Sequence, residues 1–145
     1  FYILTNHGPY DGIYGFSLGG LFTTLLSSPK IWKDKYGFEK PPFNFVICAC
    51  AGGSSYTSSS ILPIDDKYEI NNIDNKINMP SFHILGKRDS GYDDSEKIAN
   101  WYHPNTCTPF EIPCGHELPL SLIKYEPLHQ ALNEFLSSQL PIENP

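Results

Sequence analysis

The most constraining feature of this chain is Gly15-Phe16-Ser17-Leu18-Gly19, a Gly-x-Ser-x-Gly sequence wedged between two periodic patterns with no residues to spare. Before it, Asp11-Gly12-Ile13-Tyr14-Gly15-Phe16 is a short apolar run with β-formers at its centre, and Pro9 suits the start of a strand. After it, Leu18, Leu21, Phe22, Leu25 and Leu26 fall at i, i+3, i+4, i+7 and i+8, one face of a helix that Ser27-Ser28-Pro29 ends. The five residues alone say little: with glycine and serine each near about 7% of residues, roughly one chain of this length in twenty matches by chance. Their setting says more, because strand-turn-helix is what a nucleophile elbow requires. So tight a turn strains the serine backbone, and side chains at the two flanking glycine positions are expected to collide. Gly20 is expected to keep the helix close to the strand. The Ser17 hydroxyl then stands clear of the sheet, and the Leu18 N–H, at the helix N-terminus, faces a developing oxyanion.

The 145 residues suit one domain, with no internal repeat and no dividing linker. Short apolar runs alternate with helical stretches, the pattern of βα units around a parallel sheet. The stretch 30–42 is polar and ends in Pro41-Pro42; residues 43–51 (FNFVICACA) read as a strand buried on both faces. Residues 54–78 form a long excursion with room for one short helix, of a length that is usually functional or mobile. Ser81 to Gly86 is a third strand and Thr108 to Ile112 a fourth. Asp93 or Asp94 can cap the helix between them, with Glu96 near its third position and Ile98, Trp101 and Tyr102 on its apolar side. A last helix starts near Pro127.

A nucleophilic serine needs a base, and the base needs an orienting carboxylate. After an elbow the chain order is serine, acid, histidine, each following a later strand. Asp89 follows the third strand in Gly86-Lys87-Arg88-Asp89, with Asp93 as rival. His116 follows the fourth in Cys114-Gly115-His116-Glu117, and Gly115 is expected to let that loop approach Ser17. The other histidines fit worse: His83 lies inside a strand, His103 at a helix end, His129 within a helix, and His7 too close before Ser17.

Other chemistries are poorly supported. The net charge of −6 disfavours nucleic-acid binding, which draws its affinity from phosphate neutralisation. No uncharged apolar run approaches ~20 residues, so no membrane span is expected. No metal site and no cofactor are expected, since the chain has no His-x-x-x-His pair and no Gly-x-x-x-x-Gly-Lys loop. Cys48, Cys50, Cys107 and Cys114 form no Cys-x-x-Cys pair and read as reduced, partly buried thiols of a cytoplasmic protein, with the nucleus as a second compartment.

Three segments carry a family resemblance. Residues 8–20 (GPYDGIYGFSLGG) closely resemble the "GPFDGxxGFSQGA" signature of the FSH-type serine hydrolases, α/β-hydrolases that include the ovarian-cancer-associated esterase branch and fungal thioesterases. Residues 80–89 (PSFHILGKRD) resemble the family's "PTLHVIGxxD", and residues 114–119 (CGHELP) its "GGHxVP". The acyl-protein thioesterase branch shares "GFSQGG" but lacks the preceding Gly-Pro-aromatic-Asp-Gly, and ranks second. The resemblance implies an α/β-hydrolase fold with Ser17 as nucleophile, Asp89 as acid and His116 as base, the three residues that spacing also selects. Leu18 stands where the family usually has Gln, and Cys114 where it has Gly. The family's domain starts with several strands upstream of the elbow, and a loop there supplies a second oxyanion N–H. Residues 1–6 would be the end of the helix before the nucleophile strand, so the chain is expected to be one N-terminally incomplete α/β-hydrolase domain. Loss of such a donor typically costs ~10²–10³ in turnover.

The reading is a hydrolase of small-molecule carboxylic esters or thioesters. Its apolar acyl pocket is expected from Phe16, Leu18, the 54–78 excursion and residues 118–123. The rival is a non-catalytic fragment or pseudoenzyme acting as an interaction module. The nucleophile strand is expected to be an exposed edge, inviting dimerisation along it.

Overall fold

Four apolar runs become four parallel strands, and the spacing between them leaves room for helices to cross over. The computed structural model describes residues 2–53, 76–117 and 125–140. In chain order it runs α1 (Tyr2–Asn6), β1 (Gly12–Phe16), α2 (Leu18–Leu26), α3 (Pro29–Tyr36), β2 (Phe45–Ala49), β3 (Ser81–Gly86), α4 (Tyr92–Ala99), β4 (Cys107–Ile112) and α5 (Glu126–Gln139). The described sheet has the order β1-β2-β3-β4, all parallel. Gly15 registers with Cys48, Cys48 with His83, and His83 with Pro109.

Strand alternation divides the core in two. Val46 and Cys48 of β2 point to the side covered by α2, α3 and α4, among Leu21, Leu25, Trp32, Ile98, Trp101 and Tyr102. Phe45 and Ala49, with Phe82 and Ile84 of β3, point the other way, against Leu128 and Phe135 of α5. Both faces of β2 and β3 are therefore covered, which is why their sequences read as continuous apolar runs. β1 has a partner on one side only in the described sheet, and Tyr14 on it is 49% exposed.

The strands and the helices α2, α4 and α5 lie within a few residues of where the pattern predicts them. Two expectations are corrected. Residues 29–36, read as a polar stretch, form α3: Pro29 stands in its first turn and Gly37 closes it at φ 72°. Buried Trp32 anchors that helix, too sparse an apolar signal to show as periodicity. At α4 neither aspartate caps: Gly91 holds the cap position, and Asp93 and Asp94 stand in the first turn, where the helix dipole favours them. Asp94 Oδ2 instead accepts a 3.1 Å hydrogen bond from the Gly53 N–H. Trp101 and Tyr102 are buried just past the end of α4. Residues 54–75 of the long excursion lie outside the described residues. Its last residues join the fold through Ile77, whose N–H donates to the Trp101 carbonyl at 2.9 Å.

Candidate active site

β1 ends directly in α2, and Ser17 is the one residue between them, at φ 55° and ψ −126°. For a non-glycine residue that conformation costs about 1–3 kcal/mol and persists only where the surroundings enforce it. Here they do. The Ser17 N–H donates to the Ala49 carbonyl at 3.0 Å, and the Ser17 carbonyl accepts from Gly20 and Gly52 at 2.9 and 3.1 Å. Gly15 meets its predicted role: a Cβ there would stand 2.4 Å from the Gly19 carbonyl oxygen and from Thr23 Oγ1. Gly19 does not, because a Cβ there meets nothing within 4 Å among the described residues. Gly20 brings α2 against the segment after β2, where its Cβ would lie 2.6 Å from that of Ala51. Leu18 begins α2, so its N–H belongs to the first turn, which has no intrahelical acceptor.

Asp89 sits in the turn after β3, its N–H bonded to the Gly86 carbonyl at 2.9 Å. Its carboxylate is nearly fully buried and doubly bonded: Oδ1 accepts from the Gly91 N–H at 2.8 Å and Oδ2 lies 2.8 Å from His116 Nδ1. Burial pushes its pKa up, but the Gly91 N–H and His116 outweigh that and hold it below the ordinary carboxylate range. The rival Asp93 is exposed on the first turn of α4.

His116 joins the other two. Its Nε2 lies 2.9 Å from Ser17 Oγ while Nδ1 faces Asp89, and its ring tilts at 45° against Phe16 with centroids 5.0 Å apart. The loop that carries it is pinned to the Asp89 turn by the Arg88 N–H, which donates to the Cys114 carbonyl at 2.9 Å. The glycine that permits this approach is not the expected one. Among the described residues a Cβ at Gly115 would meet only Arg88 O at 3.7 Å, whereas one at Gly86 would strike the Gly115 and Cys114 carbonyl oxygens at 2.7 and 2.9 Å. Sequence spacing thus pointed to three polar side chains that the structure brings together, and missed Gly86, whose only signal was the end of an apolar run.

The remaining histidines stay apart. His83 is buried in β3, His103 Nδ1 accepts from the Asn105 N–H at 3.2 Å, and His129 lies on α5. Glu126 and His129 form a Glu-x-x-His pair at the start of α5, but no third donor converges on them among the described residues. Donor atoms of Cys50, Asp89 and His116 do converge, within 4.8 Å of one another. The nitrogen and the carboxylate are already joined to each other there, so an ion would have to break the bond that orients the imidazole. Of the expected acyl pocket, Phe16 and Leu18 are described, while residues 54–75 and 118–123 lie outside the described residues. A cavity of about 590 Å³ between α4 and β4, lined by Tyr92, Glu96 and Phe110, shares no residue with the Ser17–His116–Asp89 set.

Among known proteins, the profile of the FSH1 serine hydrolase family matches residues 2–126. Esterase FPY3 of Fusarium mangiferae is 29% identical over 118 residues, which cover 80% of this chain and 51% of the esterase. An uncharacterised hydrolase of Schizosaccharomyces pombe is 26% identical over 145 residues, covering 96% of this chain and 30% of its own length. The chain therefore spans about half or less of the curated relatives it matches. Solved structures that share its fold include two enzymes of other organisms. The Pyrococcus furiosus esterase Pf2001 has a TM-score of 0.61 at 14% identity, with 97% of this chain and 59% of that one covered. Zea mays acyl-protein thioesterase 2 has a TM-score of 0.54 at 13% identity, with 92% and 60% covered. The chain belongs to the FSH1 serine hydrolase family, and its fold is that of the α/β-hydrolases.

Proposed function

We propose that this member of the FSH1 serine hydrolase family cleaves carboxylic esters or thioesters of small molecules through an acyl-enzyme on Ser17. One observation carries the reading: the unbroken line from Ser17 Oγ through both nitrogens of His116 to Asp89 Oδ2, at 2.9 and 2.8 Å. Asp89, held ionised, keeps the Nδ1 proton of His116 directed at itself, which leaves Nε2 free to accept. Ser17 Oγ attacks the acyl carbonyl carbon as its proton passes to Nε2, and the oxyanion that forms is met by the Leu18 N–H at the start of α2. Collapse expels the alcohol or thiol, which takes the proton from Nε2. Water then gives its proton to Nε2 and attacks the acyl-enzyme; the acid leaves and Ser17 is restored. No step of this scheme calls for a cofactor.

A fluorophosphonate probe tests it. The chain is expected to label, and Ser17→Ala to abolish labelling. Labelling that persists in Ser17→Ala overturns the assignment of Ser17. A folded wild-type chain that neither labels nor hydrolyses p-nitrophenyl esters favours the non-catalytic module instead.

A further inference from the structure

We propose that Cys50 is a positioning residue whose thiol ties down the His116 loop, so that the imidazole spans Ser17 and Asp89. The proposal rests on the reading of those three residues as the reacting set. Cys50 Sγ lies 3.7 Å from the Gly115 carbonyl oxygen and 3.9 Å from that of Glu117, the residues on either side of His116. Such distances suit a thiol donor, whose sulfur is large. The same thiol lies against the Asp89 carboxylate, and its contact helps keep that group ionised. Two carbonyls and an anion thus stand beside the sulfur as acceptors for its proton.

Those surroundings settle what form the thiol takes. Burial pushes it up most; the Glu117 backbone opposes that, the charge and hydrogen bond of Asp89 add to it, and the Gly86 backbone opposes it least, with a net upward shift. Cys50 stays a protonated donor and not a thiolate nucleophile. It is 1% exposed, which also removes it from ordinary alkylation chemistry.

The backbone is arranged for the same end. Among the described residues, Ser17 and Cys50 are the two non-glycine residues with positive φ, at 55° and 45°. Cys48 points into the helix-side core, and strand alternation would send Cys50 after it. The left-handed turn at Cys50 directs its sulfur to the His116 loop instead. The Cys50 N–H donates to the Ile84 carbonyl at 2.9 Å, and the neighbouring Ala49 carbonyl accepts from Ser17. One short segment thus joins the strand ends that carry the nucleophile and the acid, and its thiol reaches the loop that carries the base.

The test is saturation kinetics of fluorophosphonate labelling on the wild type, Cys50→Ala and Cys50→Ser, with thermal melting to confirm folding. In Cys50→Ala the maximal labelling rate is expected to fall about tenfold with the half-saturating concentration unchanged, because loop placement and not probe binding is lost. The downfield proton resonance of the His116 Nδ1–H bonded to Asp89 is expected to broaden or vanish alongside. Serine keeps a donor on a shorter bond, so Cys50→Ser is expected to fall between the two, and it decides the matter if Cys50→Ala does not fold. A folded variant that labels at the wild-type rate, with the resonance in place, overturns the proposal. Labelling indifferent to Ser17→Ala would instead bring down the underlying site reading, and Cys50 would then be judged on the resonance alone.

Discussion

The middle of the sheet and the carboxyl ends of its strands are built on opposite terms, and two histidines show how far the terms differ. In the middle, β2 and β3 are covered on both faces, and neither ring nitrogen of His83 has a hydrogen-bond partner among the described residues. His83 stands edge-on to Tyr102, ring centroids 4.8 Å apart, and burial drives its pKa down to about 3, so it is neutral at physiological pH. At the strand ends, His116 has both nitrogens bonded and its side chain 44% exposed. The backbone differs likewise: the strained residues Ser17 and Cys50 both follow a strand directly. The same residue type is a packing element in β3, where no described group hydrogen-bonds to it, and a bridge between two polar side chains at the strand ends.

This contrast can be broken at either region. The largest effect is expected at the strand ends. Asp89→Asn should cut ester turnover by about 10⁴ with the melting temperature little changed, because the imidazole tautomer is no longer held. Asp93→Asn serves as control, and a loss of turnover there in place of Asp89→Asn would reassign the carboxylate.

An intermediate effect is expected in the middle of the sheet, on stability and not on chemistry. The folded pKa of His83 is lowered, so below about pH 6.5 the unfolded chain binds a proton that the folded chain refuses until about pH 3. Stability should therefore fall as pH drops through that window, by roughly 1.4 kcal/mol per unit from this group. Denaturant unfolding at several pH values, compared between wild type and His83→Phe, reads the slope. An equal slope in both would mean that His83 is solvated and the contrast with His116 is false.

The smallest effect is expected at Gly19. With no described atom within 4 Å of a Cβ and a helical backbone, Gly19→Ala should raise stability by about 0.5–1 kcal/mol, whereas Gly15→Ala should lower the melting temperature sharply. Equal damage at both would restore the symmetric view of the two elbow glycines.

Much of this site was legible before folding. An elbow is a local structure: its strand, turn and helix lie within 15 residues, and periodicity shows where each begins. The order of serine, acid and histidine followed from counting strands, which continuous apolar runs mark clearly when both faces of a sheet are covered. The helix α3 was less legible, because one tryptophan and a glycine cap hold it where no apolar stripe exists.

What the sequence determined by itself is the parallel αβ layout, and it singled out Ser17, Asp89 and His116 as candidates that the structure brings together. What the tertiary structure alone decided is how those residues are held. Gly86 clears the way for the His116 loop, Cys50 reaches across 65 residues to the Gly115 carbonyl, and His83 stays neutral inside β3. The physical reason is the range of the constraint. Period and turn chemistry act between residues a few positions apart and leave a pattern in the chain. A Cβ clash, a thiol in reach of a carbonyl, or the loss of water around an imidazole depends on strand register and on which loops meet at one end of the sheet. Those are set only when the whole sheet closes.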